Sequence, residues 1–136
     1  MWCYAQASGN FYEPSGTIVA TGYSGNGVWK NDPASEFLVD HGPIPRGAYT
    51  ILAPVDSPKH GPYALALVPD TGNSMGGRSG FMIHGDNISE PGSASDGCII
   101  LPKAIREGIW QSNDHELMVF AGWTNEEAVQ DAVTES

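Results

Sequence analysis

Long apolar runs are missing from this 136-residue chain, and basic residues are scarce. No stretch approaches the roughly 20 apolar residues that a membrane-spanning helix needs. With 6 Lys and Arg against 16 Asp and Glu, the net charge is −10. Such a surface repels nucleic acid and anionic lipid, so neither is expected as a partner. There are only two cysteines, Cys3 and Cys98. One disulfide between them is all the count allows, and a reducing cytosol disfavours it. The opening "MWCYAQASGNFYEP" lacks a basic segment followed by an apolar stretch, so no secretory signal is visible. The chain is therefore expected to be made in the cytoplasm, with something other than a signal peptide carrying it to any other place of action. No repeat of solenoid or propeller type is present.

Glycine and proline are plentiful, at 17 and 10 residues. Spread along the chain, they break it into short pieces and argue for brief strands joined by turns. The first 25 residues alternate aromatic or branched side chains with polar ones, which predicts a three-stranded meander near 2–7, 10–13 and 17–22. Residues 24–36 have turn chemistry, with a helical turn expected at 33–36. Further strands are expected at Ala48–Leu52, 63–68, in "FMIHG", in "CIIL" and in "HELMVFAG". In "PKAIREGIWQS", Pro102 stands in the first turn and Ile105, Ile109 and Trp110 share a face, the one clear helix. The expected fold is mostly β, a small sandwich or flattened barrel of short antiparallel strands with one helix near the C-terminal end. Residues 1–122 form the expected domain. Residues 123–136, acidic and weakly hydrophobic, are expected to be a frayed or loosely helical tail.

The stretch "FMIHGDNISEPGSASDGCIIL" holds the residues with the most chemistry. His84 ends one apolar strand and is followed by Gly85. Cys98 begins another and is preceded by Gly97. If those strands are neighbours, the loop between them carries imidazole and thiol to one rim. A thiol has a pKa of about 8.5, and a histidine within hydrogen-bond reach can generate the reactive thiolate. Gly97 leaves room for substrate and backbone N–H groups to face an oxyanion. The plainer reading is that Cys98 is core and His84 a surface residue, since free cysteine is among the most buried residue types.

The same stretch resembles the L,D-transpeptidase catalytic domain, whose signature is His-Gly, a variable loop, then Ser/Thr-x-Gly-Cys. The matching residues are His84-Gly85 and Ser95-Asp96-Gly97-Cys98. With "GPIPRGAYTI", "HGPYALAL" and "GRSGFMIHGD", the chain looks like the compact subfamily of L,D-transpeptidase-like toxins delivered by type VI secretion, over roughly residues 2–120. The resemblance implies that Cys98 is the acyl-accepting nucleophile and His84 its base. It implies attack on the peptidoglycan stem peptide, with loss of the terminal D-alanine to water (carboxypeptidase) or to an incoming D-amino acid (transpeptidase). No cofactor is implied. It further implies injection into the periplasm of a target bacterium, contact with a secretion-system component, and an immunity protein in the producer. Two positions depart from the pattern. Asp96 stands where many relatives have a second histidine, and Ile100 where many have an arginine.

Other residues carry two readings each. Arg78 is the candidate for binding a substrate carboxylate, or a solvated loop charge. Asp86 orients the imidazole, or caps a turn. Ser95 contacts substrate and braces the cysteine loop, or is turn chemistry alone. His60 lines the cleft, or sits on a surface turn. A metal site is not expected, because no two of His60, His84, Asp86 and Cys98 have a zinc-like spacing. A papain-type peptidase is disfavoured by the order His before Cys. The alternative function is a β-domain that binds cell-wall peptide or a partner protein without turnover.

Overall fold

The computed structural model of the protein describes residues 1–122, so the expected acidic tail lies outside the described residues. Nine strands form one sheet: β1 (Trp2–Ala5), β2 (Asn10–Tyr12), β3 (Ile18–Thr21), β4 (Tyr23–Ser24), β5 (Gly47–Ser57), β6 (Gly61–Pro69), β7 (Met82–His84), β8 (Ile99–Ile100) and β9 (Glu116–Phe120). One helix, α1 (Lys103–Gln111), and two short 3-10 turns, Gly27–Trp29 and Pro33–Ser35, complete the described elements. The mostly-β expectation with a single late helix therefore describes the molecule.

The sheet runs β3-β2-β1-β9-β5-β6-β7-β8-β4 and does not close into a barrel. Its two edge strands are nonetheless joined through the single residue Gly22, so the sheet curls until its ends meet without pairing. A Cβ at Gly22 would fall 1.9 Å from the Ile100 carbonyl oxygen, which is why only glycine fits this seam. The sheet is also mixed rather than wholly antiparallel: β1 runs parallel to β9, and β7 parallel to β8. A parallel pair cannot be joined by a tight turn and needs a crossover of about a dozen residues. Residues 85–98 provide it, and this is the loop between His84 and Cys98.

The largest difference from expectation is the β5–β6 hairpin, which extends well past the expected Ala48–Leu52 and 63–68. Register shifts between Ile51 and Pro54 and between Val55 and Ser57 absorb the proline and the polar "VDSPKH" that read as turn. The lengthened hairpin places its tip, with Lys59 and His60, beside the end of β7.

The core follows the period-two pattern of the strands. Tyr49 and Ile51 of β5, and Leu117 and Val119 of β9, point inward between more exposed neighbours. They join Tyr4, Phe11, Leu65, Ile83 and Ile99 in one cluster. Helix α1 starts just after Pro102, whose backbone is extended, and packs on β5, β6 and β7. Ile109 is fully buried there, a contribution of about 1.5–3 kcal/mol over leaving it in water. Arg106, one turn before Ile109, is buried on the same inward face.

Candidate active site

The parallel ladder sets the site. Ile83 pairs with Ile99 and His84 with Ile100, so Cys98 enters β8 as His84 leaves β7. One nitrogen of His84, one of His60 and the Cys98 sulfur lie within 4.8 Å of one another. Cys98 and Cys3 are both free thiols, so no disulfide removes the sulfur. The three groups open on a cleft of about 1080 Å³. Its walls are the 39–40 segment, the hairpin tip, residues 77–81 and the crossover loop.

His84 is 3% exposed, and its Nδ1 lies 2.9 Å from the Gly85 carbonyl oxygen. That oxygen only accepts, so Nδ1 carries the proton and Nε2 keeps its lone pair. Nε2 is buried without a hydrogen-bond partner among the described residues. Burial holds the imidazole below its ordinary pKa, aided by the charges of His60 and Arg106 and opposed by the Gly85 bond. Burial likewise pushes the Cys98 thiol up, although the Met82 N–H, Lys59 and Arg78 pull the other way. At neutral pH the resting pair is therefore a neutral thiol beside a neutral imidazole, not a preformed ion pair. A sulfur attacking from this state would have to give up its proton to a neighbouring base in the same step.

His60 stands at the hairpin tip, half-buried, its ring stacked on that of His84 at 4.3 Å between centroids. A second imidazole thus reaches the site from residue 60, and not from the cysteine motif, where Asp96 stands. Burial, then the Lys59 charge, lowers its pKa too.

Asp86 does not orient His84, because the Gly85 carbonyl takes the ring N–H. Its carboxylate accepts from the Tyr23 hydroxyl and from the N–H groups of Asn87 and Gly92, closing the crossover loop on itself. Arg78 is neither a solvated charge nor free to take a substrate carboxylate. Its Nη1 donates to the carbonyls of Glu36 and Pro43, and its Nη2 to those of Gly42 and Asp96. It clamps two loops together and leaves a buried positive charge behind the cysteine.

Ser95 is 1% exposed and does not line the cleft, so it cannot contact substrate as expected. Its Oγ accepts from the N–H groups of Gly25 and Gly97 and donates to the Cys98 carbonyl. The Gly97 N–H is therefore already used and is not available to an oxyanion. Glycine is required at 97 for another reason. Its φ is +143°, and a Cβ would stand 2.4 Å from Arg78 Nη2. The Gly97 carbonyl accepts from the buried Ser24 hydroxyl, which itself accepts from the Ile44 N–H.

Two residues make contacts that the sequence did not reveal. Tyr23 spans the crossover, donating to Asp86 and accepting from the Ala94 N–H; burial, the largest cause, and its bond to Asp86 push its pKa up to about 12. Arg106 lines the cleft from below, beside Gly85. Its only signal in sequence is a charge placed between Ile105 and Ile109 on the apolar face of α1.

A family model described as the Tlde1 domain, that of type VI secretion effectors, matches residues 18–121. No curated protein and no solved structure matches the chain.

Proposed function

Because this chain belongs to the Tlde1 domain family of type VI secretion effectors, we propose that it is a cysteine-dependent enzyme acting on the peptidoglycan stem peptide. The Cys98 sulfur adds to the carbonyl carbon of the third stem residue, a diamino acid, while its proton passes to His84 Nε2. The tetrahedral adduct collapses, the C–N bond breaks, and His84 returns the proton to the departing amine of D-alanine. The stem is left as a thioester on Cys98. Water resolves it to the free acid, an L,D-carboxypeptidase reaction, or the amine of another D-amino acid resolves it to an exchanged stem. Shortened donor stems starve cross-linking, and the protein acts as an antibacterial toxin in the periplasm of a target cell. The producer holds an immunity protein that blocks the cleft.

One observation supports this reading: a ring nitrogen of His84 and the Cys98 sulfur lie within 4.8 Å of each other at an open cleft, and His84 Nε2 has no hydrogen-bond partner among the described residues. The test is mass spectrometry of purified tetrapeptide muropeptides after incubation, with and without added D-amino acid. Loss of one alanine, abolished in folded Cys98→Ala and His84→Ala variants, is expected. Full turnover by Cys98→Ala would end the proposal. The grouping of His60, His84 and Cys98 favours a second reading, a metal centre with an open position. Chelator in the same assay separates the two: a cysteine nucleophile survives it, and a metal hydrolase does not.

A further inference from the structure

Three of the chain's six basic side chains, Lys59, Arg78 and Arg106, line the cleft of an otherwise strongly acidic protein. Arg78 spends its donors on backbone carbonyls, and Lys59 is exposed at the hairpin tip. Arg106 differs from both. It is 4% exposed, yet its Nε and Nη1 are buried with no hydrogen-bond partner, and no ion pair holds it among the described residues. A guanidinium does not shed its proton, so this is a desolvated cation; Glu107, next to it on α1, attracts it without forming an ion pair, and the arrangement is costly unless something compensates it further. The acids lining the cleft do not. Asp86 is engaged by Tyr23 and backbone N–H groups, and Asp40 and Asp96 are exposed on the walls.

The guanidinium packs against Gly85, where a Cβ would stand 3.2 Å from Nη2 and 3.3 Å from Nη1. Gly85 follows His84 directly, so the cation sits on the side of the site where the imidazole works. In the reaction proposed above, His84 protonates the departing amine. The α-carboxylate of a C-terminal leaving residue is separated from that amine only by Cα, a span of a few ångströms.

We infer that Arg106 is the receptor for the free α-carboxylate of the leaving residue. This rests on the cysteine-acylation reading of the site. A planar fork of N–H donors matches a carboxylate in bidentate fashion, and the substrate supplies the charge that the fold withholds. The neutral thiol and imidazole beside it do not compete for that anion.

The experiment compares one stem peptide as its C-terminal acid and as its C-terminal amide. Wild-type protein is expected to cleave the acid with kcat/KM about 100-fold above the amide, the scale of a buried charged pair. Arg106→Gln is expected to lower the acid's kcat/KM by a similar factor and bring the acid-to-amide ratio near one. Its rate of Cys98 alkylation should change far less than its kcat/KM on the acid, which a general disturbance of the cleft would not allow. Arg106→Lys, which keeps the charge without the fork, should restore part of the preference and serves as the decisive variant if Arg106→Gln does not fold. Equal cleavage of acid and amide by wild type, or an unchanged preference in the folded variants, overturns the inference. Calorimetric binding of both peptides to Cys98→Ala separates the two failures. If wild type cleaves neither peptide but Cys98→Ala binds the acid more tightly, the acylation reading fails and the carboxylate receptor stands. If Cys98→Ala binds both alike, the receptor fails.

Discussion

Replacing Ser95 with alanine tests how the cysteine is held. The hydroxyl is almost fully buried and takes part in three hydrogen bonds, from the Gly25 and Gly97 N–H groups and to the Cys98 carbonyl. Alanine fits the space but leaves all three backbone groups without that partner. A buried backbone group left unsatisfied costs about 1–3 kcal/mol. Allowing for loop relaxation and water entry, the sum is roughly 3–6 kcal/mol, a large part of a domain stability of about 5–15 kcal/mol. The expected fall in Tm is roughly 10–20 °C, from a few degrees per kcal/mol at this size. Urea and thermal unfolding followed by circular dichroism measure it. Activity measured well below the variant's Tm should fall in kcat, because a shift of about 1 Å at the nucleophile costs on the order of 100-fold. If Ser95 touched substrate instead, KM would rise and the unfolding midpoint would stay put. A variant within about 1 kcal/mol of wild type would refute the bracing argument.

Three further outcomes follow from the buried titratable and charged groups. Burial raises the Cys98 thiol and lowers His84, so iodoacetamide alkylation of Cys98 should climb with pH through the alkaline range and show no thiolate plateau at acid pH. An acid-stable plateau would reveal a preformed ion pair. By linkage, an imidazole whose folded pKa lies below the ordinary 6.5 contributes stability that is whole above 6.5 and lost as pH falls through the folded value. The acid limb of kcat/KM should therefore lie below 6.5. Arg78→Met removes a cation that satisfies four carbonyls, and should destabilise the protein by roughly 3–5 kcal/mol in urea unfolding. A loss under about 1 kcal/mol would mean that water replaces the clamp.

Local chemistry wrote much of this molecule into its sequence. Glycine and proline spacing marked the short strands, the alternation of apolar residues marked the inward faces, and Ile105 and Ile109 marked the helix. His84-Gly85 and Ser95 to Cys98 marked the imidazole and thiol that the fold brings together, because residues at strand ends bounded by glycine leave a local pattern. The β5–β6 hairpin hid its length because bulges let a strand pass through Pro54 and "VDSP", which read locally as turn. The parallel pairing of β7 with β8 hid as well, since a strand of two or three residues carries no mark of its direction.

What only the tertiary structure decided is which charged and polar side chains are spent and which are free. Sequence offered Arg78 for an anion and Asp86 for the imidazole. The fold commits Arg78 to four carbonyls and Asp86 to its own loop, gives the imidazole to the Gly85 carbonyl, and leaves Arg106 Nε and Nη1 without a hydrogen-bond partner among the described residues. It also brings His60 from a distant hairpin tip onto His84. Residue type and period are properties of neighbours along the chain and can be read there. Hydrogen-bond partnership and desolvation depend on groups brought together from remote positions, and those exist only once the sheet has curled.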